Sequence, residues 1–566
     1  MFPCLSLPKP DKDIRLLKNW RPISLLNTDY KILTKLLANR LQNVIHKIVS
    51  EDQTGYIKNR YIGENIRTVI DVIKYTSLKK IPGLLLFIDF EKAFDTVSWP
   101  FLFKTLNHFN FGENFKKWIN VIYAQPRACV LNNGYSTKLF TISRGIRQGC
   151  PISALLFLLV VEILAINIKE NKDINGIQVE NEEIHITQMA DDTTLFIRDK
   201  TSSLEKILSL LQDFHQHAGL KLNKDKTKAI LLGNSNFNLK QYGIAIVKDN
   251  IKTLGIKINK DLSDIENINF DEKLIQIKNV LNMWKSRQIS IKGRITVLRS
   301  QVLPIILYTA SMLYTPERVM RDIEELFFDF IWPNKKHHVR KKILMQGIGS
   351  GGLKMPDIFA SIKAIKVMWI KRLLKTSNTY SLIANQNSKI MDFQHYFSHN
   401  MSKRYLPEQP DKFYGQILDF WEEIIDVNAS NMSLNDILNE KVCYNKHILI
   451  DNKPITNRLL MMNNIECLND LLKPDKSFKT NQDLNWLTTM EYNQLITSIP
   501  CKWKKMISDN NRGNLAFKPI SDLQVKIGTK YKKIIQIKCK EFYWHQIEKS
   551  YDDDADDDDD DDALFF

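Results

Sequence analysis

The chain has 566 residues and a mass of 66.1 kDa, several times the length of a typical domain, so two to four domains are expected. With 44% hydrophobic and 10% aromatic residues it can bury a large core, and seven scattered cysteines without a CxxC pair argue against a disulfide framework or a zinc finger. The formal charge of +16 hides an asymmetry: ten aspartates lie between Asp552 and Asp562, and without them 80 basic residues face 54 acidic ones. A body that basic fits a polyanionic partner, because clustered Lys and Arg gain affinity for phosphate chains by releasing counterions. A merely soluble, lysine-rich surface would carry the same charge.

The start, MFPCLSLPKPDKD, lacks the basic segment and apolar run of a signal peptide. The longest apolar run, ALLFLLVV (154–161), is closed by Glu162 and falls far short of the ~20 residues that cross a bilayer, so a soluble protein with no membrane partner is expected. His395 and His399 have helical i, i+4 spacing but no Cys nearby, which reads as two ordinary histidines and no zinc site.

Residues 15–50 read as a basic loop and then a helix carrying Leu33, Leu36, Leu37, Leu41, Val44, Ile45 and Ile48. GLLLFID (83–89) is a short apolar run ending in an acid, the pattern of a fully buried strand whose C-terminal end is used. Residues 98–123 are helical in pattern, punctuated by Gly112. RGIRQGCPIS (144–153) is a glycine-rich loop, with Pro151 expected as the first residue of a helix reaching about Ile168. HITQMADDTTLFIRD (185–199) reads as a tight hairpin with Asp191 and Asp192 at its tip, followed by a helix from about Ser203 to His217 and by further strands in GLKLNKDKTKAILLG and IKTLGIKI. Alternating strands and helices up to about residue 260 predict an α/β or α+β fold. Beyond residue 270 long amphipathic helices dominate, with basic clusters in WPNKKHHVRKK (332–342) and KIGTKYKKIIQIKCK (526–540). The aspartate run should be disordered, since it buries nothing and repels itself.

Asp191 and Asp192 alone could be turn residues, which Asp favours. Asp89 changes that reading, because an unpaired carboxylate at the end of a buried strand would cost several kcal/mol or take up a proton. Three acids converging from a strand end and a hairpin tip need something strongly positive between them. Mg2+ suits that place, preferring a few carboxylates together with substrate phosphate oxygens. Two ions roughly 3.5 to 4 Å apart would serve an in-line phosphoryl transfer, with nucleic acid on the basic surface.

FIDFEKAFDTVSW (87–99), SRGIRQGCPISALLF (143–157), QMADDTTLF (188–196), GLKLNKDKTK (219–228) and LGI (254–256), in that order, resemble the successive motifs of a reverse transcriptase. KNWRPISLLNTDYKILTKLLANRL (18–41) and KGRITVLRSQVLPIILYTASM (292–312) resemble the non-LTR, LINE-type retrotransposon branch. The resemblance spans roughly residues 5–360. It implies a right-hand polymerase: fingers in residues 1–80, a palm with interleaved fingers in 81–262, a helical thumb in 263–330, a basic and mostly helical C-terminal region in 331–550, and the aspartate tail in 551–566.

By the same resemblance, Asp89, Asp191 and Asp192 would bind two Mg2+ ions (Mn2+ as an alternative), with the Phe90 carbonyl as a further ligand. Asp95 would order its loop. Phe94 matches the bulky aromatic that blocks a ribose 2′-OH and so favours deoxynucleotides. Arg21 matches the residue that holds the incoming triphosphate, a task suited to a guanidinium's paired donors, with Lys9 as a second candidate. Gln148 and Gly149 match the loop that lines nucleotide and template. Lys226 resembles the lysine near which a proton donor for pyrophosphate is placed, with Lys224 and Lys228 close by. The implied function is RNA-directed DNA polymerase, with an RNA template, dNTPs and a DNA primer that nicked target DNA supplies in an intact relative. The alternative is a catalytically idle, basic RNA-binding remnant.

Met189 departs from the aromatic that the family usually carries before Ala-Asp-Asp. The N-terminal endonuclease of LINE-type proteins has no counterpart in this sequence, and the expectation is a truncated element product. Localisation is open between nucleus and cytoplasm, since lysine-rich segments permit nuclear entry and the acidic tail offsets them.

Overall fold

The computed structural model describes residues 2–509 except 9–12, 17, 18, 133, 236, 248, 334–338, 375–378, 389, 391, 392, 399, 400, 407, 430–433 and 476. Lys9, His399, the 526–540 lysine cluster, the aspartate tail and much of the 332–342 cluster therefore lie outside the described residues, as does the side chain of His395. Two compact units divide the chain. One runs through Ile265, and the other comprises the described residues from Glu266 onward apart from Thr379 and Tyr380.

The first unit is mixed α/β. In chain order it contains β1 (Phe2–Pro8), β2 (Trp20–Ser24), α1 (Thr28–Ile45), α2 (Ile62–Lys79), β3 (Gly83–Ile88), α3 (Ala93–Thr96), α4 (Trp99–His108) and α5 (Glu113–Tyr123). There follow β4 (Arg127–Asn132), β5 (Tyr135–Ser136), β6 (Phe140–Thr141), α6 (Ser153–Glu170), β7 (Ile177–Val179), β8 (Glu182–Ile184), β9 (Ile186–Met189) and β10 (Asp192–Arg198). The unit closes with α7 (Thr201–Ala218), β11 (Lys228–Leu232), β12 (Ala245–Ile246), β13 (Ile251–Thr253) and β14 (Ile256–Ile258).

The principal sheet has the order β12-β11-β3-β10-β9, with β3 in the middle and antiparallel to both neighbours. Every residue of β3 is buried, as its unbroken apolar run requires of a central strand covered on both faces. Leu84, Leu86 and Ile88 face the core shared with α4, α6 and α7, while Leu85 and Phe87 alternate to the face where α2 lies across β9 and β11. Helix α6 is apolar almost all round and is correspondingly buried, with Phe157, Leu158, Leu159, Val160 and Val161 fully inside. A second sheet joins β2, β1, β4 and β5, with β6 also on β4; β1 runs antiparallel to β2 and parallel to β4.

Two boundaries differ from the sequence expectation. Helix α6 starts at Ser153: Pro151 instead belongs to a turn closed by the Ser153 N–H on the Cys150 carbonyl (3.1 Å), and the first α-helical bond runs from Leu156 to Ile152 (3.1 Å). In the hairpin, Asp192 pairs with Met189 and so begins β10, leaving Ala190 and Asp191 as the two tip residues.

The second unit is dominated by helices, and its named strands are two-residue pieces, Leu449–Ile450 and Lys453–Pro454. Helical residues Ile291–Met312 form a stretch long and apolar enough by composition to cross a membrane, but 56% of its most apolar window is buried inside the protein, as in a core helix. A π-turn at Leu298–Val302 interrupts that stretch just before Pro304, whose missing N–H cannot serve the preceding turn. Residues 434–509 have a small core of their own around Ile437, Val442, Ile448, Leu468 and Trp503.

Candidate functional site

The acids meet at the end of the principal sheet. β10 lies against β3 with Thr193 opposite Ile88, and one step further along that register Asp192 comes opposite Asp89. Asp89 Oδ2 accepts from Lys226 Nζ at 3.2 Å and from Asn223 Nδ2 at 3.1 Å. The Lys226 pair is open to solvent, so it contributes little stability; its importance is the charge it brings to the acids. Among the described residues the other two carboxyls show no such direct ion pair, and both are pushed upward. For Asp191 burial is the main cause and Asp89 adds to it, against the pull of Arg21 and Lys226. Asp192 is exposed in surface terms, yet enough protein crowds it that lost hydration, then Asp191 and Asp89, raise its carboxyl to about 6. The three acids therefore share one repulsive field, the electrostatic condition for holding a cation.

Phe90 follows Asp89 and is buried. It bridges Leu222 while the hydrogen bonds on that side come from its neighbours, Glu91 N–H to the Lys221 carbonyl and Asn223 N–H to the Asp89 carbonyl. In an antiparallel pair this turns the Phe90 carbonyl to the other side of its strand, the side of the hairpin. Phe94 is half-buried and stacked on Phe157, with ring centroids 4.5 Å apart.

The 144–153 loop is tied to its surroundings from several sides. Gln148 Nε2 donates to Asp95 Oδ1 at 3.2 Å, and its carbonyl accepts the Ser24 N–H at 3.1 Å, joining the loop to the end of the strand that carries Arg21. Gly149 has φ of +103°, a conformation that L side chains rarely adopt, and a Cβ there would crowd the Ser24 carbonyl at 3.1 Å, so the backbone favours glycine. Arg147 is buried between the rings of Tyr30 and Tyr123, 5.3 and 5.2 Å from their centroids, and donates to the Tyr30 hydroxyl and the Ile122 carbonyl.

Residues 7–258 match the family described as reverse transcriptase (RNA-dependent DNA polymerase). The chain is 26% identical over 531 residues to the transposon TX1 uncharacterized 149 kDa protein of Xenopus laevis, covering 89% of this chain and 39% of that one. It is 23% identical over 374 residues to the retrovirus-related Pol polyprotein from type-1 retrotransposable element R2 of Popillia japonica, covering 63% and 51%. The segment 7–258, a little under half of the chain, is thus similar to reverse transcriptases. The chain spans about two fifths to one half of the length of those two relatives. Among solved structures, telomerase from Candida albicans in complex with a fragment of telomeric RNA matches at 12% identity and a TM-score of 0.35, over 70% of this chain and 64% of that one.

Of the residues that the sequence singled out, the fold brings Asp89, Phe90, Asp191, Asp192 and Lys226 to one sheet end, with Arg21 near enough to act on Asp191. Of the three neighbouring lysines it is Lys226 whose amine touches Asp89. Among the described residues no three His, Cys, Asp or Glu side chains are gathered closely enough to hold a metal ion, so the acids share a field without forming a chelating cluster. The donor set nevertheless fits a hard divalent cation, because it consists of carboxylate oxygens and two of the three acids are raised by burial and then by the charge of a neighbouring acid.

Sequence reasoning missed four residues of the candidate site. Asn223 holds Asp89 from inside a motif read only for its lysines. Tyr56 stands where the charge of Asp191, after burial, raises its phenol. Gln53 and Thr54 hold the acidic hairpin from a segment, EDQTGY, that shows neither periodicity nor a charge cluster.

Proposed function

We propose that this chain is an RNA-directed DNA polymerase: a primer 3′-OH attacks the α-phosphate of a dNTP paired to an RNA template, and pyrophosphate leaves. The carrying observation is that Asp89, Asp191 and Asp192 come together at one end of the principal sheet, where burial and then a neighbouring acid's charge raise Asp191 and Asp192 while Lys226 lies against Asp89. On this reading the principal sheet is the palm, the β1-β2-β4 sheet belongs to the fingers, and the helices just after Ile265 are the thumb.

Asp89, Asp191, Asp192 and the Phe90 carbonyl would hold divalent ions, Mg2+ or Mn2+, which supply charge to the attacking and leaving oxygens when bound. Arg21 would clasp the triphosphate through its paired donors. Gln148 and Gly149 would line the nucleotide, the glycine letting backbone approach it closely. Phe94, backed by Phe157, would fill the space of a ribose 2′-OH. Lys226 would give a proton to the departing pyrophosphate.

Extension of a primed RNA template in Mg2+ tests the reading. Wild type should add dNTPs, and Asp191→Asn should lose at least about a hundredfold in rate, the scale of removing a group that stabilises transition-state charge. If both are silent while RNA still binds, the polymerase reading fails and RNA binding alone remains.

A further inference from the structure

We propose that Gln53 is a positioning residue of this site, its carboxamide clamping the hairpin tip so that Asp191 and Asp192 keep a fixed orientation; the inference rests on the polymerase reading above. Gln53 is fully buried. Its Oε1 accepts the Ala190 N–H at 2.7 Å and the Gly55 N–H at 2.9 Å, and its Nε2 donates to the Ala190 carbonyl at 3.3 Å. One side chain thus satisfies both backbone groups of Ala190, the residue immediately before the two aspartates. Ala190 has φ of +55°, a conformation that an L residue holds only when its surroundings impose it.

The rest of the segment is built to support that contact. The Gln188 N–H donates to the Asp52 carbonyl at 2.8 Å, and the Gln188 carbonyl accepts from Thr54 N–H at 2.9 Å and Asn65 Nδ2 at 2.6 Å. A Cβ on Gly55 would stand 2.7 Å from the Ala190 nitrogen, so the backbone at Gly55 closes directly on the tip. From behind, the Arg60 guanidinium donates to the carbonyls of Ser50, Gln53 (2.7 Å), Val49 (2.7 Å) and His46 (3.3 Å). Glu162, the acid that closes the apolar run of α6, accepts the Ser50 N–H at 2.9 Å. A buried charge in the middle of an apolar helix is thereby accounted for: it anchors the loop that holds the hairpin.

Two variants separate clamping from mere packing. Gln53→Met keeps length and volume but removes every hydrogen bond to Ala190. Gln53→Glu reproduces both donor and acceptors while its carboxyl is protonated, and loses the donor when it ionises, which burial delays to higher pH. Mn2+ binding followed by EPR and primer extension should both weaken by about tenfold or more in Gln53→Met at every pH, the usual cost of removing a group that orients a metal ligand. Template–primer binding should not change. The ratio of Gln53→Glu to wild type should lie near one at the acidic end and fall as pH rises. Mn2+ binding and extension at wild-type levels in Gln53→Met, or a Gln53→Glu ratio that is depressed equally at all pH, would overturn the proposal. Should wild type neither extend a primer nor bind Mn2+, the polymerase reading falls, and hydrogen exchange over residues 186–195 still decides the clamp: faster exchange in Gln53→Met sustains it and unchanged exchange refutes it.

Discussion

At the scale of single residues, the acids work against the fold that carries them. Asp192 has a folded value of about 6 against an ordinary 3.8, so the folded state binds its proton more tightly than the unfolded chain does. Its contribution favours folding below the ordinary value and is lost as pH rises through about 6. In EDTA, Asp192→Asn should therefore melt at a higher temperature than wild type at pH 7.5, and the difference should shrink toward pH 4. Thermal unfolding across that range checks it, and an unchanged gap would mean that the repulsion is not felt in solution. Phe94 allows a second test. Replacing it with Val opens space beside its stacked partner Phe157, and incorporation of ribonucleotides relative to deoxynucleotides should rise roughly tenfold or more, as when a steric wall is taken from a pocket. A ratio that stays at the wild-type value would leave Phe94 a core residue only.

The elements show how the chain turns local patterns into a positioned site. β3 and β10 bring acids about a hundred positions apart to one edge because antiparallel register leaves no freedom once Thr193 lies opposite Ile88. The loop before α6 is braced differently, by a guanidinium between two rings. Arg147→Lys keeps the charge but loses the flat faces and the paired donors, and should cost about 1 to 2 kcal/mol in urea unfolding. Because the same residue precedes Gln148, dNTP KM should rise in this variant more than kcat falls. The motif RGIRQG was legible as a loop, whereas the positive φ that favours glycine at Gly149 was not. Nor was the role of Arg147, since its partners Tyr30 and Tyr123 come from two helices far away in sequence.

Over the whole molecule, charge is the property that composition describes best. A chain of net charge +16 that carries ten aspartates in its last fifteen residues should bind RNA with a steep salt dependence, and removal of residues 551–566 should tighten that binding at low salt. Fluorescence anisotropy at 50 and 200 mM salt measures both, with a loss of about a thousandfold or more expected if six or more phosphates are contacted. Equal affinity of the full and shortened chains would show that the tail does not compete for the basic surface.

The sequence by itself determined the buried central strand, the core helix, the hairpin and the order of the motifs, because apolar runs, turn residues and paired acids are local signals that survive without coordinates. It also grouped Asp89 with Asp191 and Asp192 as one candidate site, to which the family resemblance added Lys226 with Lys224 and Lys228 beside it. Only the tertiary structure decided that β3 has antiparallel neighbours on both sides, that Asp192 begins a strand rather than ending a tip, and that Asn223 and Lys226 share Asp89. It alone revealed Gln53, whose hydrogen bonds span 137 positions to Ala190. A polar side chain buried against another segment's backbone has no periodicity, no charge and no composition to announce it, and its meaning exists only when the two segments have met.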